Sequence, residues 1–316
     1  MNICIAFTPR PANENPNILI KDNAKSTINY YEQIVVSFYT IRKHNSLANL
    51  IFVTTEKPPS KYFDKLFNLG VRIQITPFLH QPPDNYYKYF IGSFYLIDAI
   101  LNQGEYDCLY LEPDIICIKP LNKIFENKSN IVAYNHRRGA DEVINGLLVS
   151  ESFNITQSYF TNSLEGIEYN TYGGGFHYIP NAIKSELSDK LINLYSFSIS
   201  RFNQGQTYFT TEEHLLSAAY SQFDVIDANN FMKIAWTSLS YSTVDKTEHT
   251  FHLLHLPAEK EFGFKEAFRF IDHTTKVHKR LTSQQLNEYL FKKMNLNTLS
   301  VFQRIRRALI VLRKKI

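Results

Sequence analysis

Cysteine is scarce: 3 in 316 residues, at Cys4, Cys108 and Cys117. No two are spaced Cys-x-x-Cys, which argues against a zinc-thiolate site, and three cannot build a disulfide framework. Each sits in an apolar, strand-like run, so they read as free thiols in a core, in a reducing compartment. The sequons at Asn127 and Asn154 are then expected to be silent. No apolar run approaches the roughly 18 residues of a membrane-spanning helix. The start, Met1 to Phe7, lacks the basic region and long apolar stretch of a signal peptide and reads instead as an immediate strand. There are no internal repeats, no low-complexity linker, and no Gly-Lys-Ser/Thr phosphate loop after any glycine run.

Charge is nearly balanced and unevenly placed. The net value of +4 comes from residues 301–316, where Arg304, Arg306, Arg307, Arg313, Lys314 and Lys315 stand with no acid. Without those six, 28 bases face 30 acids. A nucleic-acid-binding domain would carry its basic patch on the folded body, so nucleic acid is not an expected partner. Ile305, Leu309, Leu312 and Ile316 recur at helical spacing among the bases. That pattern predicts a basic amphipathic helix suited to an anionic membrane surface. A hydrophobic content of 44% with 20% charged residues supports a sizeable core and excludes wholesale disorder.

Strand and helix patterns alternate through the first half. Strands are expected at Asn2–Phe7, 50–54, 71–75, 106–111, 115–118 and 131–134. Helices are expected at about 26–44, 60–68 (stopped by Gly70) and 86–102. That order predicts an α/β fold with a single, mostly parallel Rossmann-type sheet flanked by helices. The second half is less regular. It offers a glycine-rich run, Gly173-Gly174-Gly175, leading into a strand, then helices at about 181–196 and from Thr211, a short strand at 250–256, and helix from about 282 onward. The expected division is one half of a domain over 1–140, a second half of the same domain over 141–280, and a helical basic extension over 281–316.

The most informative feature is Glu112-Pro113-Asp114, two carboxylates closing an apolar strand. Open α/β sheets bind ligands at the carboxyl ends of their strands. Acids there can hold a hard divalent cation, which in turn binds a diphosphate. The surrounding segment, Tyr106-Asp107-Cys108-Leu109-Tyr110-Leu111-Glu112-Pro113-Asp114-Ile115-Ile116-Cys117-Ile118, resembles the signature of GT-A-fold glycosyltransferases, above all the family 8 type and related bacterial enzymes. Two departures stand out. The first acid is Glu112 rather than Asp, and the glycine and Lys-Pro-Trp that follow the family's late histidine are missing.

The resemblance implies a transferase that uses a nucleotide-sugar donor, a UDP-sugar first among them, with Mn²⁺ or Mg²⁺. Asp114 would be the direct metal ligand, with Glu112 at the ribose or the metal. His255 would complete the metal shell, with His252 the next choice. Phe7, Thr8 and Arg10 would meet the base, ribose and phosphate, and Lys88 the diphosphate. Gly173, Gly174 and Gly175 would let the donor sugar approach the backbone. Glu213, or its neighbour Glu212, would take the acceptor's proton if the reaction inverts. The family's habit, with the basic tail, implies a glycan or lipid-linked acceptor. It places the enzyme in the cytoplasm, on the inner face of the membrane, in capsule or lipopolysaccharide synthesis. Two other readings stay open: a nucleotidyltransferase, which would normally carry glycine in the loop Thr8-Pro9-Arg10-Pro11, and a noncatalytic binding protein on a decayed GT-A fold.

Overall fold

A computed structural model describes the chain except for residues 12–13, 15–21, 88, 127–128, 161–168, 239–240, 278–280 and 297–316. The first half is built as the alternation predicts: β1 (Asn2–Phe7), α1 (Asn23–His44), β2 (Asn49–Thr54), α2 (Ser60–Asn68) and β3 (Val71–Ile75). Asp22 caps α1 by accepting a bond from the Lys25 N–H. Gly70, at φ +68°, turns the chain out of α2. The helix expected at 86–102 is shorter. A 3₁₀ turn over Ile91–Phe94 leads into α3 (Tyr95–Asn102), and Phe90, at φ +67°, breaks any helix upstream. Then come β4 (Cys108–Leu111), β5 (Ile115–Cys117) and β6 (Ile131–Asn135).

The second half contains elements that periodicity did not expose. A tight hairpin, β7 (Val143–Ile144) and β8 (Leu147–Leu148), runs into α4 (Val149–Phe160). The glycines lie inside β9 (Tyr172–Ile179) rather than ahead of a strand. α5 (Asn181–Asn203) runs a turn or more past the expected end. The chain continues through α6 (Glu212–Tyr220), β10 (Val225–Asp227), β11 (Met232–Ile234), β12 (Leu253–His255), α7 (Gly263–Lys276) and α8 (Ser283–Lys293). A reciprocal capping box between Thr282 and Gln285 starts α8.

Seven strands form one mixed sheet in the order β10-β6-β9-β4-β1-β2-β3. Within it β9 runs antiparallel to its neighbours, β4 and β6. Side chains alternate across the sheet. Ile3 and Ile5 join a core with α1, α7 and α8, while Cys4, between them, joins a second core with α3, α5 and α6. Burial on both faces explains the unbroken apolar runs of β1, β2 and β4. All three cysteines are buried and unpaired. A smaller sheet, β11-β12-β5, packs beside the main one.

β1 is the switch point. The chain winds outward from it through β2 and β3, then returns to place β4 on its other side. That leaves a crevice at the carboxyl ends of β1 and β4. The Glu112-Pro113-Asp114 turn between β4 and β5 is anchored there from α1. The Ser37 hydroxyl lies 2.5 Å from the carbonyl oxygens of both Pro113 and Ile115. Ser37→Ala removes the single hydroxyl proton that the two carbonyls share and should cost about 1–3 kcal/mol. Urea unfolding measures it, as a lower midpoint with an unchanged slope.

Candidate active site

The crevice is a cleft of ≈ 390 Å³. It is lined by Leu111 to Asp114 and Gly174, by Glu212 and Glu213 of α6, by Phe7, Thr8, Arg10 and Tyr30, and by His136, Asn145, Trp236, His255 and Lys260, whose ammonium lies over the Tyr30 ring at 5.7 Å. Segments distant in sequence therefore converge where the topology opens the sheet.

Asp114 is 1% exposed, and a buried carboxylate needs compensation. It has two cationic partners. His255 Nε2 stands 3.1 Å and Lys260 Nζ 3.2 Å from the same Oδ2. His255 Nε2 also lies 3.0 Å from Glu112 Oε2. Strand register delivers the histidine: β12 runs antiparallel to β5 with His255 opposite Ile115, and the Leu256 N–H donates to the Asp114 carbonyl. Burial alone would raise the Asp114 pKa, but Lys260 and His255 outweigh it and hold the group far below the usual carboxylate range. Burial would likewise lower the His255 pKa, yet Asp114 and Glu112 raise it to about 10.

These residues fit a divalent cation. Glu112, Asp114 and His255 each offer a ligand atom, all within 4.8 Å of one another. Two carboxylates and one imidazole, once His255 Nε2 gives up the proton it shares with them, would suit Mn²⁺ well and Mg²⁺ less so. Of the two late histidines weighed from sequence, His255 enters the cleft, while His252 turns away and its Nδ1 donates to the Pro120 carbonyl, 2.5 Å away. His249 lies in a 3₁₀ turn, Glu248–Thr250, ahead of β12.

The acidic pair at the start of α6 divides into two environments. Glu212 is 3% exposed and hydrogen-bonded to the Ser93 hydroxyl. Burial, with the neighbouring Glu213 charge, raises its pKa well above the usual carboxylate range. Glu213 is held the other way. Burial would raise it, but the His136 imidazole and the Gly174 N–H bring it down to about 2. Gly174 N donates to Glu213 Oε1 at 2.6 Å, Asn145 Nδ2 donates to Oε2 at 2.6 Å, and His136 Nε2 is 3.6 Å away. A pair of acids pushed apart in this way offers one ionised and one neutral group in the same cleft.

The three glycines are explained by what each one faces. A Cβ on Gly173 would lie 2.8 Å from His136 Nε2, and one on Gly175 3.1 Å from His255 Nδ1. A Cβ on Gly174 would lie 2.9 Å from Glu212 Oε1, 3.0 Å from Glu112 Oε1 and 3.3 Å from Glu213 Oε1. None of the three has a positive φ, so the requirement is space and not backbone strain.

Other expected residues fare differently. Phe7 and Thr8 line the cleft; Phe7 stacks on Tyr30 at 4.8 Å, and the Thr8 hydroxyl pairs with that of Thr55 at 3.0 Å. Arg10 lines the cleft too, but Glu14 takes two of its donors, Nε at 2.8 Å and Nη2 at 3.1 Å. Lys88 and the basic tail lie outside the described residues. Sequence reasoning missed Lys260, Tyr30, His136, Asn145 and Trp236. Lys260 had a signal, since a lysine does follow His255 at five residues, though not in the family's Lys-Pro-Trp setting. The others come from loops and helix faces whose direction no local pattern encodes.

No protein-family model and no curated protein sequence matches the chain. Solved structures do. The galactosyltransferase LgtC, in complex with donor and acceptor sugar analogues, aligns with 96% of this chain and 99% of its own, at a TM-score of 0.50 and 11% identity. An active-site mutant of LgtC aligns with 81% of this chain and 87% of its own, at the same TM-score and identity. The chain has the GT-A glycosyltransferase fold. At 11% identity the likeness is one of architecture. The cleft of this GT-A chain therefore has to speak through its own residues.

Gly174 provides a direct test of that cleft. Gly174→Ala should push the tips of Glu112, Glu212 and Glu213 apart and weaken Mn²⁺ binding by roughly 10-fold or more, the usual size for disturbing the groups around a metal. The atoms that must give way are ends of flexible side chains, so the unfolding midpoint should move little. Calorimetric Mn²⁺ titration alongside thermal melting separates the two effects.

Proposed function

We propose that the chain is a metal-dependent glycosyltransferase. It moves a sugar from a nucleoside-diphosphate sugar, a UDP-sugar first among candidates, to a glycan or lipid-linked acceptor. The observation that carries this reading is the meeting of Glu112, Asp114 and His255 at the switch point of a GT-A fold, with Lys260 against the same carboxylate. Mn²⁺ or Mg²⁺ bound by those three residues would supply charge to stabilise a departing nucleoside diphosphate.

The chain's own residues divide the remaining work. The Tyr30 and Phe7 rings, stacked beside the end of β1, offer a platform for the base. Lys260, whose ammonium is held charged against its burial by Asp114, adds fixed positive charge where the diphosphate leaves. Gly174 leaves room for the sugar between the carboxylates. Glu213, ionised and facing the cleft, is placed to accept the proton of an attacking hydroxyl if the configuration inverts. Trp236 and the hairpin residues Val143 and Ile144 line the part of the cleft left for an acceptor.

The setting we propose is the inner face of a cytoplasmic membrane, in the assembly of capsule or lipopolysaccharide. Its support is the run of six bases among apolar residues in 301–316. Bases near an anionic surface contribute up to about 1 kcal/mol each.

Thermal melting with UDP, GDP, CMP and their sugars, with and without Mn²⁺, tests the site. A ligand at 100 times its dissociation constant adds about 2.7 kcal/mol to stability. One nucleotide should raise the melting temperature only when Mn²⁺ is present, and Asp114→Ala should abolish the shift without unfolding the protein. A shift that ignores Mn²⁺ would remove the metal from the account. No shift with any nucleotide would favour a noncatalytic binding protein on this fold.

A further inference from the structure

The hairpin β7–β8 pairs with no strand of the seven-stranded sheet; Leu147 anchors it in the second core, and its tip enters the cleft. Its turn is Asn145-Gly146, with φ +45° and +86°. Two-residue hairpin turns of this kind need positive φ at both positions, and Asn-Gly meets that need best. Tyr87 closes against the outside of the turn, where a Cβ on Gly146 would lie 2.8 Å from the Tyr87 hydroxyl oxygen. The Thr210 hydroxyl, on the linker into α6, donates to the Asn145 carbonyl at 2.7 Å. The tip is thus clamped from two sides. Its one side chain with chemistry, the Asn145 amide, donates to Glu213 Oε2 at 2.6 Å.

We propose that Asn145 is the positioning residue for Glu213, and that the hairpin exists to present it. The inference rests on the reading of Glu213 as the carboxylate that takes the acceptor proton. The Gly174 N–H holds Oε1 and the Asn145 amide holds Oε2, with His136 Nε2 3.6 Å from that same Oε2. An ionised carboxylate has about four lone-pair sites, so two such bonds orient it and leave others open to an acceptor hydroxyl. His136 already draws this carboxyl below its usual range, and a lysine or arginine in place of the amide would add a full charge and lower its basicity further. An amide on a left-handed turn residue orients the base without adding to that charge.

Two substitutions test this in the full-length chain, with steady-state kinetics on the nucleotide sugar that the melting experiment identifies. Asn145→Gly keeps a residue at ease with φ +45° and removes only the amide. Asn145→Asp keeps the shape and sets an acceptor against an acceptor. Both should lower kcat by roughly 10- to 100-fold, the scale of a misplaced catalytic group. Donor KM and the Mn²⁺-dependent nucleotide shift should stay within about twofold. A kcat within twofold of the parent in either folded variant, or a change confined to KM, would overturn the proposal. If Asn145→Gly does not fold, Asn145→Asp decides. Absence of transfer by the parent chain itself, with every donor, would strike the proposed function first and this inference with it.

Discussion

The arrangement depends on a carboxylate that has been taken out of water. Asp114 can be ionised at 1% exposure only because His255 and Lys260 both reach the same oxygen. Removing a partner from a buried ion pair costs several kcal/mol, so the three groups define one another's positions. Ser37 fixes the turn that carries Asp114 from behind, and β12 fixes His255 through its register with β5. The sheet's switch point opens the space, and this small electrostatic knot determines what can enter it.

Negative charge is the recurring problem of the cleft. Glu112, Asp114, Glu212 and Glu213 all line it. Each is managed differently: Glu212 by burial beside the Ser93 hydroxyl, Glu213 by neutral donors with His136 nearby, Asp114 by two cations, and Glu112 by His255. The absence of any side chain on Gly174 lets three of them approach one point. Such a concentration of acid suits a site that takes up a cation together with a phosphorylated ligand, because the ion's charge is then part of the design.

The sequence was most legible where local chemistry and global fold agree. β1, β2, β3 and the Glu112-Pro113-Asp114 turn follow from apolar runs bounded by breakers, and the βαβ order follows from them. The convergence of α6, β12 and the acidic turn was also legible, through resemblance to a known pattern. What remained hidden has physical causes. The partner of α7, Gly263–Lys276, is one such case: Phe264, Ala267, Phe268 and Ile271 recur at helical spacing, but nothing local shows that this face packs on α1, more than 200 residues away. The hairpin's strands are two residues each, too short to show alternation, although Asn145-Gly146 is itself a turn signal. Three consecutive glycines look like a loop because the space they leave is claimed by side chains from β6, α6 and β12. Arg10 looked like a phosphate ligand because nothing local reveals that Glu14 turns back onto it.

The most direct measurement is a titration of Mn²⁺ followed by electron paramagnetic resonance, on the parent chain and on His255→Ala, with and without the nucleotide. Free Mn²⁺ gives a sharp signal that is lost on binding. The account predicts loss of that signal at one ion per chain when nucleotide is present, and much weaker binding in His255→Ala while its fold is kept. An undiminished free signal in the folded parent chain, with nucleotide at saturating concentration, would contradict a metal-assisted transferase built on Glu112, Asp114 and His255.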